Sequence, residues 1–156
     1  MLLVGALGGV LFYYIQKGEI SHILKSATGQ KRAKVVFDRA RFGVEVVQSP
    51  EDVRKGLSGR DSIPEFGGML FVFEKKKLYS FWMKDMRFPI DILWINDGRV
   101  VWIEKNAPPR PPGTPDTEFL TYTSPVEANS VLEIRSGMAD RFGINIGDEA
   151  EIVFRD

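Results

Sequence analysis

The chain has no cysteine and a single histidine, His22. Without cysteine there is no disulfide, no thiolate nucleophile and no cysteine-based zinc site. His22 precedes the region that reads as a folded domain, so Ser-His-Asp triads, histidine-ligated metals and imidazole bases are excluded as well. No metal and no cofactor is therefore expected. Net charge is also missing, since 21 basic side chains balance 21 acidic ones. The balance is uneven along the chain. Residues up to Lys34 hold five basic groups and one acid, leaving 16 and 20 beyond, a net of −4. Such a domain lacks the phosphate-neutralising surface that nucleic-acid binding requires. Nucleic acid is not an expected partner.

What is present divides the 156 residues into three parts. Leu2 to Ile15 is apolar, aromatic or glycine throughout. As a helix it would be about 21 Å long against roughly 30 Å of bilayer hydrocarbon, a gap that snorkelling Gln16 and Lys17 and local thinning would close. No basic stretch precedes the run and no small-x-small cleavage site comes after it, so it reads as an uncleaved anchor rather than a signal peptide. Residues 1–17 are thus taken as an anchor, 18–34 as a basic linker and 35–156 as one β-rich domain. Lys17, Lys25 and the Lys31–Lys34 cluster favour a cytoplasmic location for the C-terminal domain.

Within the domain, strand signals alternate with turns. Val44 to Ser49 reads as a strand. Ser49-Pro50-Glu51-Asp52 reads as a helix start, with a serine cap, proline in the first turn and acids near the positive end of the dipole. That helix should end near Gly56 or Gly59. Met69–Phe73 and Leu78–Met83 are expected to form a hairpin across a solvated Glu74–Lys77 turn. A second hairpin, Ile90–Ile95 and Val100–Glu104, is joined by Asn96-Asp97-Gly98-Arg99, a sequence suited to positive φ. Five prolines between Pro108 and Pro115 mark a stiff extended loop. Val131–Arg135, a short helix over Ser136–Phe142 stopped by Gly143, a Gly147-Asp148 turn and a strand over Ala150–Phe154 complete the pattern. The expected fold is mainly β: a compact antiparallel sandwich or partly closed barrel with one or two short helices, preceded by a hydrophobic N-terminal helix.

An ordered series of motifs closely resembles one family. It comprises Gly56-Leu57 with Arg60, Gly68-Met69-Leu70-Phe71, Phe81-Trp82-Met83-Lys84, Pro89 with Asp91, Val131-Leu132-Glu133, Gly137, Gly143-Ile144 and Gly147-Asp148. The family is domain of unknown function 192, and the resemblance covers about residues 42–154. It implies a compact β fold and, in many members, an N-terminal export signal or anchor; it implies no established activity and no catalytic set. The export tendency outweighs the basic neck, so the domain is expected outside the cytoplasm. The chain departs from the family at Asp85-Met86, where Asn-Thr is common, and at Ser58, where methionine is usual.

The segment Phe81 to Asp97 carries the strongest functional signal. Alternation puts Trp82 and Lys84 on one face of a strand and Phe81, Met83 and Asp85 on the other, mixing large apolar groups with charges on both faces. The candidate ligand-binding residues are Trp82, Lys84, Asp85, Arg87 and Asp91, for a small polar ligand, a glycan or an extended peptide. Against that stand plain structural roles: a core tryptophan, surface ion pairs, and an Asp91 satisfied by Lys84 or by a backbone turn. Two other functions compete. One is a hydrolase using two of Asp85, Asp91, Glu104 and Glu133, with Glu104 and Glu133 interrupting apolar strands. The other is a partner-binding envelope module contacting its partner through the proline-rich loop. Facing carboxylates, an open cleft beside an exposed Trp82, or a flat apolar patch would respectively favour hydrolase, binding module and partner module.

Overall fold

A computed structural model of the chain describes residues 31–110, 115 and 121–155. The expected anchor at 2–15 and the centre of the proline-rich loop lie outside the described residues. Among those described, no helix is long and apolar enough to cross a membrane.

Among the described residues, nine strands and two short helices succeed one another in order: β1 (Arg32–Val36), β2 (Arg41–Val47), α1 (Pro50–Lys55), β3 (Gly67–Lys77), β4 (Ser80–Trp82), β5 (Ile90–Asn96), β6 (Arg99–Ala107), β7 (Thr121–Thr123), β8 (Ala128–Arg135), α2 (Met138–Phe142) and β9 (Glu151–Arg155). Seven strands form one sheet in the order β6-β5-β8-β3-β2-β1-β9, and β4 pairs with β7 in a separate ribbon. β1 begins at Arg32, inside the stretch expected to be linker.

The fold is mainly β, as expected, but the sheet is mixed and not closed into a barrel. β2 and β3 run parallel, with Val46 opposite Leu70, while the other pairings are antiparallel. The reason is the connection. Parallel neighbours need a crossover of a dozen or more residues, and the segment holding α1 and the turns after it supplies one. The two ends of the sheet approach each other without joining. An isolated Arg99↔Glu149 bridge and the bonds from Gly147 N to Val100 O (2.7 Å) and Ala150 N to Gly98 O (2.8 Å) tether the β5–β6 hairpin to the entry of β9.

Both faces of the sheet are covered, which explains why β5 is an almost continuous buried run. One face packs Val35, Phe42, Leu70, Leu93, Leu132 and Ile134 with Met138 and Ala139 of α2. The other packs Met69, Phe71, Ile92, Trp94 and Val131 beneath Leu57, Phe81, Met83 and Met86. At the centre, Gly68 lets β3 and β8 approach; a Cβ there would lie 2.5 Å from the Glu133 carbonyl oxygen. Two local expectations change. Glu74–Lys77 continues β3 instead of turning, with Lys76 paired to Asp97 across the surface. The strand after the turn, β4, leaves β3 to pair with β7, so it lies over the face holding Phe71 and Trp94, with Phe81 edge-on to both.

Candidate functional site

α1 starts as the sequence dictates. Ser49 Oγ accepts from Asp52 N (3.1 Å), and the helix ends at Gly56, whose φ of 48° a side chain would resist. The turn after it is tied to the segment beyond β4: Ser58 Oγ donates to Lys84 O (2.7 Å), and Gly59 N donates to Asp85 O (2.9 Å). Met83–Met86 forms a turn in which Met86 N donates to Met83 O (3.3 Å) and Asp85 takes φ 55°. Position 85 thus calls for a residue that tolerates the left-handed region, as Asn and Asp do. The turn sends Asp85 into solvent and points Met86 inward, 7% exposed.

These elements enclose a pocket of about 450 Å³. Its walls are largely apolar: Leu57 after α1, Phe71 and Phe73 on β3, Phe81 and Trp82 on β4, and Met86. Glu133 of β8 lines its base, and Arg54 and Lys55, both exposed, line it from α1. Ser58 and Met86, two positions where the chain departs from the family pattern, both border this space.

Glu133 is the unusual group. It is 5% exposed, between Met69 and Ile92 in the sheet register. Burial pushes its carboxyl up to about 8, with no charge or hydrogen bond contributing to the shift. An uncompensated buried carboxyl is costly, so native proteins keep few of them. The sequence pattern suggests Glu133 only as half of a catalytic pair. The available signal is an acid inside Val131-Leu132-Glu133-Ile134, a run buried on both faces. Arg54, Lys55 and Met86 are absent from the sequence-based site, because only the crossover and the turn bring them there.

The five predicted residues separate. Trp82 lines the pocket and is 42% exposed. Lys84 lies in the turn beyond the end of β4, not on the strand that alternation assumes, and its Nζ comes 5.6 Å from the indole centroid. Asp85 points outward in the turn, and exposed Arg87 pairs with Asp61. Asp91 is not part of the site. It is 0% exposed and faces the opposite side of the sheet, in register with Ile134. There its Oδ1 accepts from Asn106 N (2.9 Å) and Gly137 N (3.2 Å), and its Oδ2 from Ala139 N (2.9 Å). Backbone groups, not Lys84, satisfy it. Lys84→Met should therefore change unfolding free energy by less than about 1 kcal/mol, the scale of an exposed cation–π contact. A loss of roughly 3–5 kcal/mol in chemical denaturation, the scale of a stranded buried charge, would return Lys84 to a structural role.

The paired-carboxylate arrangement also dissolves. Glu104 lies across Ile92 from Glu133, two strands away, or about 10 Å at ordinary strand spacing. It borders Tyr122, whose hydroxyl is held above the usual phenol range by burial first and by the Glu104 charge second. Glu133 is the single acid lining the pocket among the described residues. Among the described residues, no cluster of three His, Cys, Asp or Glu could hold a metal ion.

No curated protein matches the chain. Two solved structures share its fold at 28% identity. One is a Sinorhizobium meliloti 1021 protein provisionally described as a transcription regulator, with TM-score 0.68 and coverage of 78% of this chain and 92% of that one. The other is a protein of unknown function from Novosphingobium aromaticivorans DSM 12444, with TM-score 0.66 and coverage of 77% and 83%. The model of the family DUF192, described as "Uncharacterized ACR", matches residues 31–152. With that match running from before β1 into β9, and with the motif series now placed on the strands and turns, the chain belongs to the DUF192 family.

Proposed function

We propose that this protein is a membrane-anchored binding module that takes a small ligand in the Glu133 pocket. The observation that carries the reading is a buried carboxyl with no hydrogen-bond or ion-pair partner among the described residues, at the base of an apolar, aromatic-walled space of about 450 Å³. That volume lies in the range of small-molecule sites, and a few polar groups on apolar walls is their usual composition. Trp82 at the wall supplies a face on which a ring can stack. A compact ligand, such as a single sugar ring or another cyclic polar molecule, suits the space better than an extended peptide. The hydrolase reading loses its second carboxylate. The description of the Sinorhizobium protein is not carried over, because the net charge of −4 beyond Lys34 opposes nucleic-acid binding.

Fragment screening by methyl NMR on the full-length chain tests the pocket. Hits should move the Met86 methyl, and Thr121→Trp, a filling change at an exposed strand position bordering the pocket, should weaken them about tenfold or more. Hits indifferent to Thr121→Trp would reject the pocket as the site.

The anchoring half of the proposal rests on Leu2–Ile15, and we assign the domain to the extracytoplasmic side on family tendency. Full-length protein is expected to sediment with membranes and resist alkaline extraction, whereas deletion of Met1–Lys25 should leave a soluble domain that unfolds cooperatively. Aggregation of the deleted form would mean that residues 2–15 belong to the globular core.

A further inference from the structure

The pocket has an electrical polarity that narrows its ligand. The side chains of Arg54 and Lys55 are exposed at its mouth, and among the described residues neither is held by an ion pair or a side-chain hydrogen bond. Of the acids nearby, Asp52 bonds to Ser49, Glu45 holds Arg60 through two bonds of 2.6 and 2.7 Å, and Asp61 takes Arg87, while Glu51 sits one turn before both cations on α1 and has an interaction of its own. Lys84 adds a third positive charge beside Trp82. At the inner end Glu133 is the one charged or acidic group among the described residues.

We propose, building on the pocket assignment above, that the ligand is a small ring-bearing carboxylate. Its carboxylate meets Arg54 and Lys55 at the mouth, its ring lies among Phe71, Phe81 and Trp82, and a hydrogen-bond acceptor at its far end receives the Glu133 O–H.

Complementarity dictates each part. Two cations with no side-chain partner among the described residues, beside an apolar wall, recruit an anion, and a guanidinium offers a planar fork matched to a carboxylate. The aromatic walls accept a flat ring face-on or edge-on. At the base, burial keeps Glu133 protonated until about pH 8, so near neutral pH it donates. A carboxylic acid kept neutral in an apolar site can serve as a hydrogen-bond donor. A cationic ligand would have to pass Arg54 and Lys55 and ionise Glu133 against its desolvation. The other titratable groups around this site are Tyr79, raised by burial, and Tyr122, while Glu104 and Glu45 lie one strand beyond Ile92 and Met69 on either side of Glu133.

The test uses three probes with one body: para-acetamidobenzoate, neutral acetanilide and para-acetamidobenzylamine, titrated into the full-length chain with the Met86 methyl as reporter. The benzoate should bind at least about tenfold more tightly than the amine near neutral pH. Arg54→Gln combined with Lys55→Gln should remove most of that preference, because both changes are at exposed positions and remove the charges while keeping part of each side-chain stem. Benzoate affinity should fall as pH rises through about 8, where Glu133 loses its proton. Glu133→Gln, whose amide donates at every pH, should bind with no such fall. The amine binding as well as the benzoate, or identical pH profiles for both proteins, would overturn the ligand class while leaving the pocket standing. If none of the three probes moves the Met86 methyl, the pocket assignment fails and this inference with it.

Discussion

Asp91→Ala should destabilise the domain by about 4 kcal/mol, the loss expected when several buried donors lose a charged acceptor together. Asp91 is fully buried and holds three backbone N–H groups from two remote places: the end of β6 at Asn106, and the start of α2 at Gly137 and Ala139. α2 needs this help because its cap residue is Gly137, which has no side chain to accept from the first turn. An aspartate on β5 does that work instead. Alanine would strand all three donors in a dry environment. Asp91→Asn should lose about half as much, since one amide oxygen still accepts while its N–H₂ opposes a donor. Denaturant unfolding of the three proteins measures this directly. An Asp91→Ala loss below about 1 kcal/mol would mean that water replaces the carboxylate.

The second large effect is a pH dependence. Glu133 has its carboxyl raised from 4.5 to about 8 by burial, so the folded chain binds a proton that the unfolded chain has released. Stability from this group is complete below about pH 4.5, declines as pH rises, and is lost beyond about pH 8. The span corresponds to about 5 kcal/mol at 1.36 kcal/mol per pH unit. Other carboxylates contribute with the opposite sign, so the group is isolated by difference. Glu133→Gln should match the native protein near about pH 4 and exceed it by several kcal/mol near about pH 9. A constant difference across that range would mean that Glu133 is solvated or paired in the folded state.

Local chemistry is legible in the sequence where a few adjacent residues decide the conformation. Asn96-Asp97-Gly98-Arg99 announces a hairpin, and Asp97 and Gly98 take φ of 48° and 75°, as a primed turn requires. Ser49-Pro50 announces α1, and Gly143 marks the end of α2 with φ 61°. Trp82 and Lys84 do meet, but through the turn that follows β4 and not through strand alternation. The features that stay hidden depend on partners far apart in the chain. Nothing near Glu74–Lys77 says that β3 runs on, or that β4 will leave it for β7. The parallel β2–β3 pair depends on the crossover through α1, which the sequence locates without revealing that its flanking strands are neighbours. Asp91 stands out as an acid in an apolar strand, yet its partners lie as far off as Ala139, and its face can be known only once the register is known. Glu133 stands out for the same reason and has the opposite fate: one buried acid is saturated by backbone donors, the other is left facing a pocket. Sequence marks both as anomalies and cannot tell them apart.

That distinction can be measured at a single atom. With glutamate carboxyls labelled with carbon-13, the side-chain resonance of Glu133 in the full-length chain should titrate with a midpoint near about 8, identified by its disappearance in Glu133→Gln. Addition of a bound fragment should displace that midpoint, because the ligand touches the group. A midpoint near the ordinary 4.5, unmoved by any pocket ligand, would contradict the claim that Glu133 is a buried, unpartnered carboxyl at the base of a binding site.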